Sequence, residues 1–443
     1  MFNNRVLQNT KWIIVCKIIQ SLVQLVVGML SARYLGPANY GLINYAASLV
    51  AFAVPVMQLG LQATLVQEYV NDPDKEGEIV GTSLVMNGVS AVACMAGVVT
   101  FTAFANAGET VTILVCGLYS TSLLCQSFEM LQYWFQAKLL SKYSAPAMLC
   151  AYIVASAYKI YLLATAKNIY WFAVSHSIEY GVTGLVLFVT YLKRGQQKLS
   201  FSCQTAKRLF GKSRHYIAAM LMVVVYTSMG NVMLKMMVGE AENGYYAAAA
   251  TCVSISNFVF MAIIDTARPV ALQSREISVE QFEKNVSRVY AITTYLALAQ
   301  SVVYTLFAEF IIKVLYDDAY SPAAPVLRIL VWNTAFSYMG YVRNIWILGE
   351  EKHKSLFAIN FGGAVANLVF NIWLIPGLGA QGAAYASVLT QIFTNFVMGF
   401  VLKPIRRNNV LILRGVHPKC IWETVKLLVD SLRGEKVAVD EKE

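Results

Sequence analysis

The chain carries the stretch LGPANYGLINYAAS at Leu35–Ser48 and an approximate copy of it, VGEAENGYYAAAAT, at Val238–Thr251. A shift of 203 positions superimposes the two copies and gives five identities in fourteen, all of them Gly or Ala. Each copy lies between two long apolar runs. Gly and Ala often match by chance in apolar sequence, so the repeat requires support from other parts of the chain.

Two further pairs of segments supply that support, both at a shift of 212 positions. YWFQA at Tyr133–Ala137 superimposes on IWILG at Ile345–Gly349, and AYKIYLL at Ala157–Leu163 on VFNIWLI at Val369–Ile375. Because the pairs follow one another in the same order, they predict two copies of a unit of about 200 residues. This arrangement is typical of transporters built from two homologous halves.

The composition places the chain in a membrane. Of its 443 residues, 57% are hydrophobic and only 14% are charged, with a mean hydropathy of +0.55, whereas soluble domains average about 25% charged residues. The apolar runs are long enough to cross a hydrocarbon core of about 30 Å. They predict an all-α polytopic membrane protein. The eight cysteines show no CxxC pair, so we expect packing residues and no disulfide or metal framework.

The apolar runs predict twelve transmembrane helices. They divide the chain into an N-terminal six-helix bundle at 1–192, a basic cytoplasmic linker at 193–214, a C-terminal six-helix bundle at 215–402 and a basic cytoplasmic tail at 403–443. The predicted spans are 12–32, 40–60, 79–104, 110–135, 145–165, 168–192, 215–238, 244–266, 287–314, 323–348, 356–378 and 381–402.

The distribution of Lys and Arg predicts the orientation. With the N-terminus inside, the inner segments carry 27 of these residues, and the outer segments carry only Arg33 and Lys167. Since cytoplasmic segments retain positive charge, both termini are expected to be cytoplasmic. This bias and the anionic lipid headgroups account for the net charge of +10. No nucleic-acid partner is expected.

Charged side chains within the spans are costly and therefore candidates for function. Four cations are predicted to attract an anionic substrate into a water-filled cavity: Lys17, Lys159, Lys235 and Arg343. Gln20 and Gln24 follow Lys17 at helical spacing, so the three residues are predicted to form a polar stripe on one face of the helix. The structural alternative for Lys235 is that its ammonium reaches the outer interface.

A second set of titratable residues predicts ion coupling. Glu179 with His176, together with Glu129 and Asp265, could exchange a proton or Na⁺ if transport is ion-coupled. The structural alternative is a local pair between His176 and Glu179. No Walker loop, GxSxG, HExxH or DxD motif lies on a soluble segment large enough to fold. The protein is therefore not expected to be an enzyme or to hold a metal or another cofactor.

Four segments spread over both halves resemble the polysaccharide-exporter branch of the MOP exporter superfamily, which includes O-antigen and capsule flippases and is related to MATE drug exporters. They are ARYLGPANYG (Ala32–Gly41), YWFQAK (Tyr133–Lys138), YSPAAPVLRIL (Tyr320–Leu330) and NIWLIPGLGAQGAAYAS (Asn371–Ser387).

The resemblance implies two six-helix bundles around a central cavity that opens alternately to each side of the bacterial cytoplasmic membrane. It implies that undecaprenyl-diphosphate-linked oligosaccharide repeat units cross from the inner to the outer leaflet, in a pathway with a polysaccharide polymerase and glycosyltransferases. In similar flippases, cationic side chains receive the diphosphate, a contact that Arg and Lys make well. No motif surrounds Lys17 or Lys159, so their assignment rests on charge and depth.

Two other functions remain open. A MATE-like cation-coupled exporter of small cations is favoured if Glu129, Glu179 and Asp265 line the cavity, because a cation requires acidic or aromatic groups. A membrane-bound glycosyltransferase or polymerase would require a catalytic loop that the sequence does not contain.

Overall fold

A computed structural model describes the backbone of residues 4–195 and 197–432. Side chains are described throughout these ranges except at 4–19, 21, 22, 141, 142 and 428–432. The described backbone is almost entirely helical, and it contains no β-strand. The predicted all-α class is therefore confirmed.

The α-helices of the described part follow one another with short connections. They are α1 Asn4–Met57, α2 Leu65–Asn71, α3 Glu76–Ala105, α4 Thr110–Ser120, α5 Ser122–Gln126, α6 Leu131–Ala137, α7 Ser141–Ala164, α8 Ile169–Arg194, α9 Cys203–Met237, α10 Glu240–Ser254, α11 Asn257–Ile277, α12 Val279–Leu315, α13 Ala323–Leu330, α14 Trp332–Gly349, α15 Lys354–Ile392, α16 Met398–Val401, α17 Arg406–Val416 and α18 Pro418–Leu432. A π-helical turn, Phe393–Val397, joins α15 to α16.

In the described part of the chain, eight helical stretches are long and apolar enough to cross a bilayer. A ninth is added if the bent pair of α10 and α11 forms one span. The eight are Val23–Met57, Pro73–Ala105, Thr110–Ala137, Tyr143–Ala164, Ile169–Arg194, Cys203–Met237, Val279–Leu315 and Lys354–Val401. The protein is a multi-pass membrane protein, and the number of twelve spans stays a prediction.

Two of these helices are broken at a glycine. Gly36 (φ 71°, ψ 169°) interrupts α1, and Gly379 (φ 54°, ψ −132°) interrupts α15. Glycine adopts positive φ without the steric cost that a Cβ would add. Each break falls between two segments that the sequence predicts as separate spans, so α1 and α15 each combine two apolar segments.

The chain divides into two compact units. The first unit consists of Met1–Ala248, Lys313–Ser321 and Ile375–Ala380. The second consists of Ala249–Ile312, Pro322–Leu374 and Gln381–Glu443. Helix α9 belongs to the first unit, although it begins within the predicted linker. The sequence-based division into two six-helix bundles stays a prediction.

Each unit has its own apolar core. In the first unit, one cluster surrounds Tyr45 and Tyr119, and another surrounds Trp134 and Tyr191. In the second unit, a cluster surrounds Phe260, whose ring stacks on Tyr338 with centroids 3.9 Å apart, and extends to Trp346. These buried aromatic side chains hold the helices of each unit together.

The two copies of the repeated stretch contact each other within the first unit. A Cβ at Gly41 would collide with the carbonyl oxygen of Glu240, and a Cβ at Gly244 would collide with that of Pro37. The shift of 203 positions superimposes Gly41 on Gly244 and Pro37 on Glu240, so the two contacts are reciprocal. The Asn243 side chain donates a 2.7 Å hydrogen bond to Gly41 O. The contact requires glycine in both copies.

The basic linker is tied by ion pairs to the short helix α2 and to the residue that follows it. Arg208 Nη1 lies 2.6 Å from Asp72 Oδ2, and Lys212 Nζ lies 2.6 Å from Glu68 Oε1. The chain leading into α9 also packs on the start of α3, where Ser200 N donates to Gly77 O over 3.3 Å. The linker is therefore held against the first unit.

The tail packs on α12 in the second unit. Arg407 donates two hydrogen bonds to the Glu283 carboxylate, at 2.7 and 2.6 Å. These bonds raise the pKa of the Arg407 guanidinium above its already high value. Tyr290 donates to Asn408 Oδ1 over 2.9 Å, and Tyr295 to Val416 O over 2.8 Å.

Candidate functional site

A polar cavity of about 550 Å³ lies within the first unit. Helices α1 and α9 form its apolar wall, and polar side chains from the turn after α1 and from α4, α5 and α8 complete it. These polar residues are Gln58, Gln62, Tyr119, Gln126, His176 and Tyr180. A cavity with several polar partners can hold water. It therefore gives a polar substrate or ion a hydrated place among apolar helices.

The turn after α1 brings two glutamines to the cavity. Leu59 and Gly60 adopt positive φ values of 52° and 68°, which end the helix and reverse the chain. Gln58 and Gln62 consequently reach the wall. The Tyr133 hydroxyl donates a 3.1 Å hydrogen bond to Gln62 Oε1 and orients the amide.

His176 lies between two aromatic rings at the cavity wall. Its imidazole stacks on Tyr119 with ring centroids 4.8 Å apart, and Tyr180 approaches edge-on at the same centroid distance. His176 Nδ1 lies 3.8 Å from Glu179 Oε2, one helical turn along α8. The two side chains are 29% and 19% exposed. The two groups are therefore close enough for the local pair that is the structural alternative to ion coupling, and the imidazole also faces the cavity.

Lys159 and Glu129 join this pair electrostatically. Lys159 on α7 lies near enough to this pair for its charge to favour the ionised Glu179 carboxylate and to oppose protonation of His176. Glu129, in the turn between α5 and α6, accepts a 3.5 Å hydrogen bond from Gln126 Nε2 and lies near Glu179, whose carboxylate repels its own. Helix packing thus brings four predicted site residues into one cluster.

This cluster contains two carboxylates, one ammonium and one imidazole. With both carboxylates ionised and the imidazole neutral, its formal charge is −1. A bound proton or monovalent cation would offset the excess carboxylate, and a second proton would make the cluster cationic. The arrangement can therefore accept either a cation or, once protonated, an anion.

Lys235 is held in an ion-paired network at the end of α9. Its side chain is 2% exposed, hydrogen-bonds Glu109 and lies 3.8 Å from Glu240 Oε1. Its ammonium also lies 5.5 Å from the centroid of the Tyr45 ring. The hydrogen bond from Lys235 holds the pKa of the Glu109 carboxyl below its ordinary value of 4.5. Lys235 does not line the polar cavity described above.

A similar connection occurs at the end of the first segment of α1. Arg33 Nε donates to Leu315 O over 3.0 Å, and its guanidinium also bonds Val314 O. The shift of 203 positions places Arg33 at 236, one residue from Lys235. Arg33 and Lys235 thus each stabilise the end of the helix that precedes one copy of the repeated stretch.

Arg343 lies in the second unit and is 6% exposed. Its Nη1 donates to Thr394 O over 3.0 Å and to Asn395 Oδ1 over 2.8 Å. Both partners belong to the π-helical turn, whose wider backbone exposes carbonyl groups to side-chain donors. Arg343 therefore secures this turn, and its role in substrate binding stays a prediction.

The remaining predicted residues are not in the cluster. Asp265 is exposed on α11 and lies 3.3 Å from Arg268, one turn away. Gln20 is partly buried, and Gln24 is exposed. The side chain of Lys17 lies outside the described residues.

Several residues at the cavity were missed by the sequence analysis. Tyr119 and Tyr180 are uncharged and occur in apolar runs rich in aromatic residues, so neither charge nor hydropathy distinguishes them. A signal was present in Gln126, Glu129 and Gln132, which recur at helical spacing within a predicted span. Among the described residues, no group of three or more His, Cys, Asp or Glu is placed to hold a metal ion.

The fold and the site define a multi-pass α-helical membrane protein with a polar cavity among its helices. The chain belongs to the polysaccharide biosynthesis protein family, since the model of that family matches residues 6–274, more than half of the chain.

Solved structures of MOP superfamily transporters share the fold. An inward-facing multidrug resistance MATE family transporter is 15% identical, with 88% of this chain and 95% of that chain covered and a TM-score of 0.64. The lipid II flippase MurJ in an inward closed conformation is 14% identical, with 95% and 99% covered and a TM-score of 0.63. A MOP superfamily transporter from Pyrococcus furiosus is 13% identical, with 93% and 96% covered and a TM-score of 0.53.

A curated relative is an uncharacterized membrane protein of Methanocaldococcus jannaschii. It is 22% identical over 233 residues, which make up 50% of this chain. The match spans 45% of the length of that relative.

Proposed function

We propose that the protein is a flippase for undecaprenyl-diphosphate-linked oligosaccharide repeat units. It would move them across the bacterial cytoplasmic membrane by alternating access, for the biosynthesis of a surface polysaccharide such as O-antigen or capsule. One observation carries the proposal: every residue that lines the polar cavity lies within 6–274, the segment that the polysaccharide family matches. The likeness of the fold to a lipid II flippase supports a lipid-linked substrate.

The proposed architecture has twelve spans in two six-helix bundles around a central cavity, with both termini cytoplasmic. The reciprocal contact between Gly41 and Gly244 supports a chain made of two repeats. The charge bias of the inner segments supports the orientation. The protein would transport its substrate without chemical change, between glycosyltransferases on the inner side and a polymerase on the outer side.

In the proposed mechanism, the cluster at the cavity changes charge during transport. Lys159 can attract a diphosphate only when the neighbouring carboxylates of Glu129 and Glu179 are neutralised. Proton uptake would change the cluster from net negative to net positive and so favour anion capture. His176 connects the cluster to the cavity and is the route for the proton. The lipid tail would stay in the bilayer while the sugar crosses in the polar cavity.

A MATE-like cation-coupled exporter of small cations is the second candidate. The observation that favours it is the net negative charge of the cluster when Glu129 and Glu179 are both ionised. The likeness to a MATE transporter agrees with it but rests on the fold alone. Asp265, the third acid on which this alternative depends, pairs with Arg268 and is exposed.

The test uses the purified full chain in vesicles with a lipid-linked oligosaccharide and an imposed pH or Na⁺ gradient. Crossing is measured with an impermeant enzyme that removes exposed sugar. We expect Lys159→Gln to slow crossing roughly tenfold, as loss of a charge-assisted contact should. Glu179→Gln should remove the response to the gradient. Lys167→Gln, an exposed cation in the turn after α7, is the matched control.

Two results would contradict the proposal. Unchanged crossing in the Lys159 variant would remove the cluster from substrate capture. Efflux of a small organic cation, without movement of the lipid-linked sugar, would favour the exporter.

A further inference from the structure

The second unit contains two adjoining pockets on the face of α12 that the tail covers. The first has a volume of about 770 Å³ and lies between α11, α12 and α18. The second, of about 390 Å³, lies between α12, α17 and α18. Arg288 and Thr424 line both pockets, so the two pockets adjoin each other. Both volumes are in the range of small-molecule sites, about 300–1,000 Å³.

The smaller pocket is basic. Four permanent cations line it together with His417 and a single carboxylate, that of Glu423; the cations are Lys284, Arg288, Arg414 and Lys419. None of the four forms an ion pair with a carboxylate among the residues that the structure describes. Arg288 donates a weak 3.4 Å hydrogen bond to Asn285 Oδ1. The pocket thus has an excess of positive charge that an anion would offset.

The larger pocket is mainly apolar. One face of α11 contributes Ala262, Ile263 and Val270, and α12 contributes Val289 and Ile292. Small side chains such as Ala262 leave room for a chain to lie between the helices. The groove ends at Arg288, where the basic pocket begins.

The surface beside both pockets has the character of a membrane interface. Trp422 on α18 is 74% exposed, and Val425 and Leu413 are also exposed. Exposed Trp next to basic residues on an amphipathic helix is typical of a segment lying among lipid headgroups. The occupant is therefore expected to come from the bilayer.

We propose that this site binds an anionic phospholipid of the adjacent leaflet. Its phosphate would contact Arg288, Arg414 and Lys284, and one acyl chain would lie in the apolar groove. A basic pocket joined to an apolar groove matches a molecule with one anionic head and one long apolar chain. The lipid would bridge α12 and α18 and fix the tail to the second unit. The inference does not depend on the substrate proposed above.

The experiment measures binding of phosphatidylglycerol and phosphatidylcholine with matched acyl chains to the full-length protein by native mass spectrometry. The wild-type protein should prefer phosphatidylglycerol. The double variant Arg288→Gln, Arg414→Gln should bind it about 25-fold more weakly, at roughly fivefold for each charge removed. Lys426→Gln removes one charge from α18 without touching either pocket, and it should bind like wild type.

A second variant tests the groove separately from the charge. Ala262→Phe places a bulky ring in the groove at an exposed position. It should weaken binding of the long-chain lipid and leave binding of a short-chain phosphatidylglycerol unchanged. Ala103→Phe, at an exposed position on α3, is the matched control. Size-exclusion chromatography and thermal unfolding verify that each variant is folded.

Three outcomes would overturn the assignment. The first is an unchanged preference for phosphatidylglycerol in the double variant. The second is stronger competition by undecaprenyl diphosphate than by phosphatidylglycerol, which would give the site to the substrate. The third is binding that occurs only after removal of residues 433–443, which would show that the chain fills its own pocket.

Discussion

Buried charges in this protein meet partners that lie far away in sequence. Lys235 contacts Glu109, which is 126 positions away, and Arg343 contacts Asn395, which is 52 positions away. The sequence gives the depth of each charge and therefore its cost in the membrane. It does not give the partner, because tertiary packing brings the partner near. Among the described cations named as site candidates, only Lys159 is in a cluster that reaches the polar cavity.

Removing Glu109 and removing Lys235 should reduce the stability of the protein by different amounts. Glu109→Gln leaves an ammonium that is 2% exposed, so we expect a loss of about 3 kcal/mol in stability, near the lower end for a broken buried pair because Glu240 stays close. Lys235→Met leaves a carboxylate that is 47% exposed and hydrated, and should cost less than about 1 kcal/mol. Thermal unfolding in detergent measures both, and equal losses would contradict this explanation.

At acid pH, the wild-type protein and the Glu109→Gln variant should become equally stable. The pKa of Glu109 is lowered in the folded state, chiefly by the hydrogen bond from Lys235. The pair is therefore fully stabilising above the ordinary carboxyl pKa of 4.5 and loses its effect as the pH falls through the lowered value. Unfolding curves recorded from pH 7 downward should converge below pH 4.5.

At the scale of helices, the sequence predicts well where the long helices lie, and it predicts poorly where they are distorted and how they pack. The apolar runs locate the long helices, and the gap between the predicted spans 12–32 and 40–60 contains Gly36, where α1 breaks. The π-helical turn at Phe393–Val397 has no comparable signal, because it is held by the distant Arg343. The sequence did not indicate the cavity either, since residues from five separate helices line it.

The contact between the repeats should depend on its glycines. Gly41→Ala or Gly244→Ala would push a methyl group into a backbone carbonyl that cannot move aside, and should cost at least about 1–3 kcal/mol. Gly28→Ala is the matched control, because its Cβ would meet nothing within 4 Å and alanine is the better helix former. The test is thermal unfolding of the purified variants. Full stability of both contact variants would show that the helices separate without cost.

At the scale of the whole molecule, family membership and the fold agree with the class expected from the sequence. The sequence identifies a multi-pass membrane protein, because only 14% of its residues are charged and its apolar runs are long enough to cross a bilayer. The number of twelve spans stays a prediction, and the breaks of α1 at Gly36 and of α15 at Gly379 lie between spans that the sequence predicts as separate.

The predicted orientation can be tested with a thiol label. Cys203 is exposed at the start of α9 in the basic linker, so an impermeant reagent added to intact cells should not reach it. Lys167→Cys, in a predicted outer turn, should be labelled from outside. Permeabilised cells provide the control, in which both sites react. Labelling of Cys203 in intact cells would show that the predicted topology is wrong.

The reciprocal contact of Gly41 with Glu240 and of Gly244 with Pro37 also bears on the origin of the chain. In a dimer of identical subunits related by a two-fold axis, residue i of one subunit meets j of the other, and j meets i. The two repeats reproduce this pattern inside a single polypeptide. An ancestral protein of half the length could have made the same contact with a second copy of itself. Gene duplication and fusion would then have turned a subunit interface into an internal one, in which a glycine is still required on each side.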